Sequence, residues 1–346
     1  MKNKPCILKK IGKIALIVLC SLLALVIVLL LGAHLFTPAV FSDFFKDAEK
    51  EFRIPGLSDG VVPQGFTYLP EQKLYIQCGY MADGENASRI YLIPEGDEKN
   101  ASFVELLTKD GAPYTGHTGG ITTDGKLVWL ANDGEGEDNC VWVFSLDELL
   151  AAKAGDGIKL TTSFQPESRA AYCYVDGEYL WVGEFYREGD YPTKESHTFS
   201  VSGDVEHHAL ICAYPLDDTS ATGIKAGVPA LLLSVTGQVQ GMVRTEDGGF
   251  ILSTSYGLSK SHLIFYKNIL ANQESADNAL EIDGTNVPVW YLDASHLIRD
   301  IEAPPMSEEM VVRDGRVYYL TESACKKYIF GNFIRGRHVY SLPIEQ

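Results

Sequence analysis

Five stretches of the 346-residue chain each set a polar side chain just before, or at the start of, a short apolar run: Gln64, His117, Arg169, Gln240 and the pair Glu308 and Glu309. Three more acids, Asp133, Glu184 and Glu322, stand just after stronger apolar runs that follow. If these groups converge, three chemistries are open to them. Asp133, Glu184, Glu309 and Glu322 are candidate ligands for Ca²⁺, a hard cation that takes six to eight oxygens. Two carboxylates among Glu184, Glu308, Glu309 and Glu322 can act as the acid and base of a glycosidase. Gln64, His117, Arg169, Gln240 and Glu309 can together bind a polar ligand without turnover. The plain alternative is that they satisfy one another and buried water, as buried polar groups must.

What positions them is a repeat, which has to be found before any local motif is trusted. Aligned on Gly65, Gly120, Ala171, Gly241 and Glu309, five similar stretches recur at intervals of 55, 51, 70 and 68 residues. Each begins with a short strand, a turn and a stronger strand, and most continue with two further strand-like runs rich in β-branched and aromatic residues. The fourth runs are expected at Ser102–Leu107, Ile158–Phe164, Ala230–Val235 and Val287–Leu292, with helical inserts at 146–152 and 268–279. The fifth repeat lacks a fourth strand, and the piece Glu51–Pro55 before the first repeat is free to supply it. Sharing a blade between the two ends of a chain seals a β-propeller ring. The expected fold is therefore all-β: a propeller of five four-stranded blades, with a sixth visible only if an irregular blade hides in a long insert. The near-continuous apolar second strands, including Trp129 and Trp181, are expected to pack between blades, covered on both faces.

The N-terminus is of another kind. Residues 1–13 form a basic tail, and 14–36 are almost wholly apolar, about 23 residues against the roughly 20 needed to cross a bilayer. Five lysines and no acid lie in residues 1–40. The positive-inside rule then places the tail in the cytoplasm and the propeller outside. A cleaved signal would have a shorter apolar core and a small-x-small site, so a single-pass anchor in the cell membrane is expected, with 37–50 a stalk or short helix and 51–346 the ectodomain. Residues 41–346 carry 24 basic and 46 acidic side chains. Nucleic acid and, on overall charge, anionic lipid are poor partners for the ectodomain; cations, basic partners and neutral sugars remain.

Other apparent motifs carry less. Gly56 to Gly60 matches GxSxG with no helix to follow, so nucleophile-elbow mechanics are missing. Asp133 to Asp138 lacks EF-hand spacing. His197, His207 and His208 lie in the long third-repeat insert 186–208, where function often resides. The five ectodomain cysteines read as buried thiols, with one disulfide open in an oxidising compartment.

At Pro63-Gln64-Gly65-Phe66 and Gly116-His117-Thr118-Gly119-Gly120 the chain resembles a group of bacterial secreted or membrane-anchored propeller-like proteins with these two signatures about 50 residues apart. The resemblance covers the first two repeats well and the others loosely. It implies the fold and the envelope location but no assigned activity, so no catalytic residue follows from it. The leading expectation is a binding or sensory ectodomain with its ligand at the channel mouth. The alternatives are a carboxylate-dependent hydrolase and an envelope scaffold acting through its inserts.

Overall fold

The computed structural model describes the whole chain except residues 1–3, 204, 226, 272–274 and 346, and of residues 4–8 the backbone only. Helix α1 (Lys4–Val40) leads into α2 (Ser42–Asp47), and five β-sheets follow in a ring. The ring closes as the repeat count requires. Blade five is Ser307–Arg313, Arg316–Thr321 and His338–Pro343, with Glu49–Arg53 from the N-terminal side as its outer strand, paired antiparallel to His338–Pro343. The tight turn Asp314-Gly315, with φ of 51° and 70°, joins its first two strands. Positive φ at both central residues is what a two-residue hairpin of matching twist needs.

Blades one to four begin with the inner strands Val61–Leu69, Gly120–Thr123, Tyr172–Val175 and Val239–Arg244. The outer strands depart from the repeat in two places. Gly157–Lys159 leaves blade two and pairs parallel with Ser102–Leu107 of blade one, so only Thr162–Phe164 closes blade two. The expected single strand Ile158–Phe164 is thus shared between blades. Thr285–Tyr291 likewise joins blade three, parallel to Leu231–Val235, and carries Asn278–Ile282 with it through the tight turn Asp283-Gly284. The outer strand of blade four is instead Leu297–Ala303. Its run Leu-Ile-Arg-Asp-Ile-Glu-Ala is largely solvent-facing, so it lacks the apolar pattern that marks the others. The helix expected over 268–279 does not form among the described residues; residues 272–274 lie outside them, and the hairpin takes its C-terminal end. The other helical insert exists as α3 (Leu146–Ala151), capped at its N-terminus by the Ser145 hydroxyl, which accepts from the Glu148 N–H.

Packing between blades uses the second strands as expected. Trp129 is fully buried against blade three, with its indole N–H on the Thr222 carbonyl at 2.9 Å. Trp181 packs edge-on against Phe250 of blade four, with centroids 5.9 Å apart. Helix α2 docks on the propeller rather than bridging a gap to it. Phe44 is fully buried against Tyr319 and Tyr340, at 5.5 and 5.7 Å between ring centroids. The cysteines Cys78, Cys140, Cys173, Cys212 and Cys325 are buried free thiols.

Candidate functional site at the channel mouth

The inner strands approach the axis so closely that side chains are nearly excluded from it. A β-carbon on Gly65 would lie 2.5 Å from the Ile121 nitrogen, and one on Gly241 would lie 2.7 Å from the Glu309 α-carbon. One on Gly120 would lie 2.3 Å from Glu309 Oε1. The small anchor residues of the repeats therefore exist to let one large side chain through. Glu309 fills the axis, and its carboxylate accepts backbone N–H groups from three other blades: Phe66 at 2.8 Å, Ile121 at 3.0 Å and Cys173 at 3.3 Å. A strand irregularity between Pro63 and Phe66 accompanies the first of these bonds. Bulges of that kind leave a backbone group out of the ladder. Burial raises Glu309 to about 8, against the pull of those three donors.

Above this plug lies a cavity of about 570 Å³, lined among others by Gln64, His117, Gln240, Glu308, Glu322 and Asp133. Five blades contribute to it. Aromatic and basic groups join them: Tyr80, Phe185, Tyr191, Tyr256, Lys327 and Tyr328. Gln64 donates to Glu322 Oε2 at 2.9 Å, and Gln240 donates to the Ser255 hydroxyl at 3.4 Å. Lys327 donates to the Tyr80 hydroxyl at 2.8 Å, and its ammonium sits 5.0 and 5.2 Å from the Tyr80 and Tyr328 ring centres.

Glu308 is the outlier. It is 1% exposed, yet its Oε1 has no hydrogen-bond partner among the described residues. A buried acceptor left so costs roughly 1–3 kcal/mol. Burial, then the neighbouring Glu322 and Glu309 charges, hold the Glu308 carboxyl well above the usual range. Burial likewise lifts Glu322 to about 8, although Lys327 and the Gln64 amide pull it down. The pair thus holds a proton at neutral pH. His117 lies against Tyr80, with ring centres 4.9 Å apart, and is exposed at the cavity. The surrounding protein and the Lys327 charge lower its pKa, so its imidazole is neutral.

The remaining candidates are tied up elsewhere. Arg169 grips Asp133 Oδ1 through Nε at 2.7 Å and Nη2 at 2.6 Å, so its charge is spent at the rim. Glu184, 1% exposed, accepts the backbone N–H groups of Arg169 and Leu210 and faces His197 Nδ1 at 3.0 Å. On its other side His197 reaches Glu167 at 3.2 Å. Burial works against the imidazolium, but the hydrogen bonds to Glu167 and Glu184 outweigh it and carry His197 up to about 9. His207 and His208 do not join it: one contacts Ser234 and the other stacks on Tyr186. Among the described residues no three His, Cys, Asp or Glu side chains group as a metal site. Asp133, Glu184, Glu309 and Glu322 are each engaged by different partners, which leaves no shared oxygen cage for Ca²⁺ on these side chains.

Sequence reasoning missed Tyr80, Lys327 and Tyr328. The signal was present in the 16-residue stretch between the second and third strands of blade five, long for a hairpin loop and hence a place to expect function. The opposite end of the channel holds an open basin in which Arg244 pairs with Asp176 at 3.0 Å and Arg313 with Glu95.

No protein-family model matches the chain, and no curated protein matches it. Solved structures with a similar course do exist. The chain is similar to the PQQ-bound aldose sugar dehydrogenase of Streptomyces coelicolor, at TM-score 0.43 and 10% identity over 86% of this chain and 97% of that one. It is also similar to a putative glucose dehydrogenase of Thermus thermophilus, at 0.39 and 13% over 85% and 99%. BamB of Moraxella catarrhalis follows at 0.32 and 7%, over 82% and 85%. The likeness is one of fold. Function does not transfer along it.

Proposed function

We propose that this protein is a single-pass, membrane-anchored propeller that binds a small, neutral, hydroxyl-rich ligand such as a glycan fragment at its channel mouth. The observation that carries this reading is Glu308, a buried carboxyl with a free oxygen beside a cavity built from five blades. A ligand hydroxyl supplies the missing partner. Around it stand amides (Gln64, Gln240), a neutral imidazole (His117) and tyrosine faces (Tyr80, Tyr256, Tyr328), a mixture of few polar groups and apolar walls usual for small-molecule sites. Glu308 and Glu322, both raised by burial, carry little negative charge beside Lys327, which favours a neutral ligand. The anchor rests on α1, whose stretch Lys9–Val40 has a mean hydropathy of 3.4 in its most apolar window and is unburied there by the protein.

One observation favours a second reading, a glycosidase-like hydrolase. Burial and the Glu322 charge hold Glu308 up, and an acid held protonated beside a second carboxyl group is what that chemistry uses. Glu184 and Glu309 are too fully bonded to serve. Titrating the full chain with neutral oligosaccharides, followed by thermal shift and by product analysis, tests both. Binding without turnover, abolished by Glu308→Gln, is the expected result. Turnover lost in Glu308→Gln and in Glu322→Gln would replace it with the hydrolase. Binding that survives Glu308→Ala would sink both.

A further inference from the structure

The loop that supplies Lys327 and Tyr328 to the channel mouth continues into a segment that touches the anchor helix. Its short 3₁₀ turn, Phe330–Phe333, packs against α1, and Arg335 Nε donates to the His34 carbonyl at 3.4 Å. Arg335 also lies over the Phe45 ring of α2, 5.7 Å from its centre. His34 sits at the outer end of the apolar stretch. A residue bonded to its carbonyl is therefore at the level of the lipid head groups if α1 spans the bilayer.

The composition of this loop is unlike the rest of the ectodomain. Lys326, Lys327, Arg335 and Arg337 fall within twelve residues, and no Asp or Glu occurs between Glu322 and Glu345. Elsewhere acids outnumber bases about two to one. Apolar side chains are interleaved with these cations: Ile329 is 59% exposed, and its backbone is left-handed at φ 35°. A β-branched residue adopts that conformation at a cost, and the described residues leave the side chain so presented largely uncovered. Cations mixed with aromatic and aliphatic groups are the composition of a bilayer interface, where Lys and Arg reach phosphates and apolar tips enter the acyl boundary. The docking of α2 through Phe44 leaves no slack by which the propeller might swing away.

We infer that residues 326–337 form a membrane-contact surface seated in the phosphate layer of the bilayer, so that the rim of the channel mouth on blade five lies against the membrane. This rests on the anchoring reading above. It reverses locally the repulsion from lipid that the net charge of the ectodomain implies. It also means that the mouth opens beside the membrane surface, while the basin at the other end of the channel faces away.

The test uses the full chain in nanodiscs of phosphatidylcholine with phosphatidylglycerol, with Cys6 and Cys20 changed to Ser. An environment-sensitive fluorophore is placed on Ile329→Cys or, as a control at the far end of the channel, on Glu246→Cys. Lipid carrying a nitroxide just below the head group should quench the label at 329 by more than half and leave that at 246 nearly untouched. Adding Lys326→Glu, Arg335→Glu and Arg337→Glu should cut the quenching at 329 at least threefold, with unchanged circular dichroism. If the chain does not enter nanodiscs at all, the anchoring reading and this inference fall together. If it enters and the two labels behave alike, or the charge reversals change nothing, this inference alone is overturned.

Discussion

Glu308 and Glu309 are adjacent on one strand and have opposite fates. The Glu309 carboxylate is closed off by three backbone N–H groups from blades one, two and three, while Glu308 beside it keeps an oxygen free at the cavity. Strand alternation sends neighbouring side chains to opposite sides, and the register shift between Ser307 and Met310 falls at this pair. One acid closes the ring and the other is left for chemistry.

Glu309→Ala should therefore damage the fold before it damages the site. It strands three buried donors, each costing roughly 1–3 kcal/mol, so urea unfolding should show a loss of at least about 3 kcal/mol. Glu309→Gln keeps one acceptor and should lose less. A Glu309→Ala protein as stable as the parent would show that the axis is held by other means.

Gly120→Ala tests the same contact from the other side. Its β-carbon would crowd Glu309 Oε1 at 2.3 Å and the Cys173 nitrogen at 2.7 Å, and the backbone groups there cannot step aside. Destabilisation of about 2–4 kcal/mol is expected, in the upper range for a single substitution. Pairing it with Glu309→Ala should give a penalty smaller than the sum, because the two changes act on one contact. Strict additivity would argue against the coupling.

The sequence displayed the repeat, the closure by the N-terminal strand and the positions of Gln64, His117, Gln240 and Glu308, because each lies at a fixed offset from a strand start. It hid whatever depends on partners far along the chain. Glu309 stood out as the one large residue at an anchor position, but its role follows from how near Gly65, Gly120 and Gly241 come to the axis, a distance no spacing encodes. Glu184 looked like Glu322 in sequence, yet His197, thirteen residues on in an insert, takes its carboxylate. The exchanged outer strands Gly157–Lys159 and Thr285–Tyr291 were misplaced because strand type is local while blade membership is not.

The insert 186–208 should be held by the Glu184–His197–Glu167 chain. His197→Ala leaves Glu184 and Glu167 buried or half-buried without their shared cation, so trypsin should cut at Arg187 or Lys194 at least several times faster than in the parent. Unchanged cleavage would mean that the insert is fixed by its hairpin alone.

Stability should fall as pH rises through the neutral range. Glu309 and Glu322 titrate at about 8 in the folded chain, above the roughly 4.3 of an unfolded glutamate. The folded state then binds more protons between these values, and stability is lost as pH rises through that window. His197, at about 9 against about 6.5 when unfolded, contributes stability that is complete below its unfolded value and lost on the way to 9, in the same direction. Asp83 and Asp293, held at about 2, oppose at the acid end, where their contribution is lost as pH falls. His117, held down at about 4, opposes only between that value and the roughly 6.5 of an unfolded histidine. Scanning calorimetry should find Tm lower at pH 9 than at pH 5 by at least about 5 °C, with a shallower slope in Glu322→Gln. A Tm that climbs between pH 5 and 8 would contradict the buried, proton-holding state of Glu308, Glu309 and Glu322 on which the neutral character of the site depends.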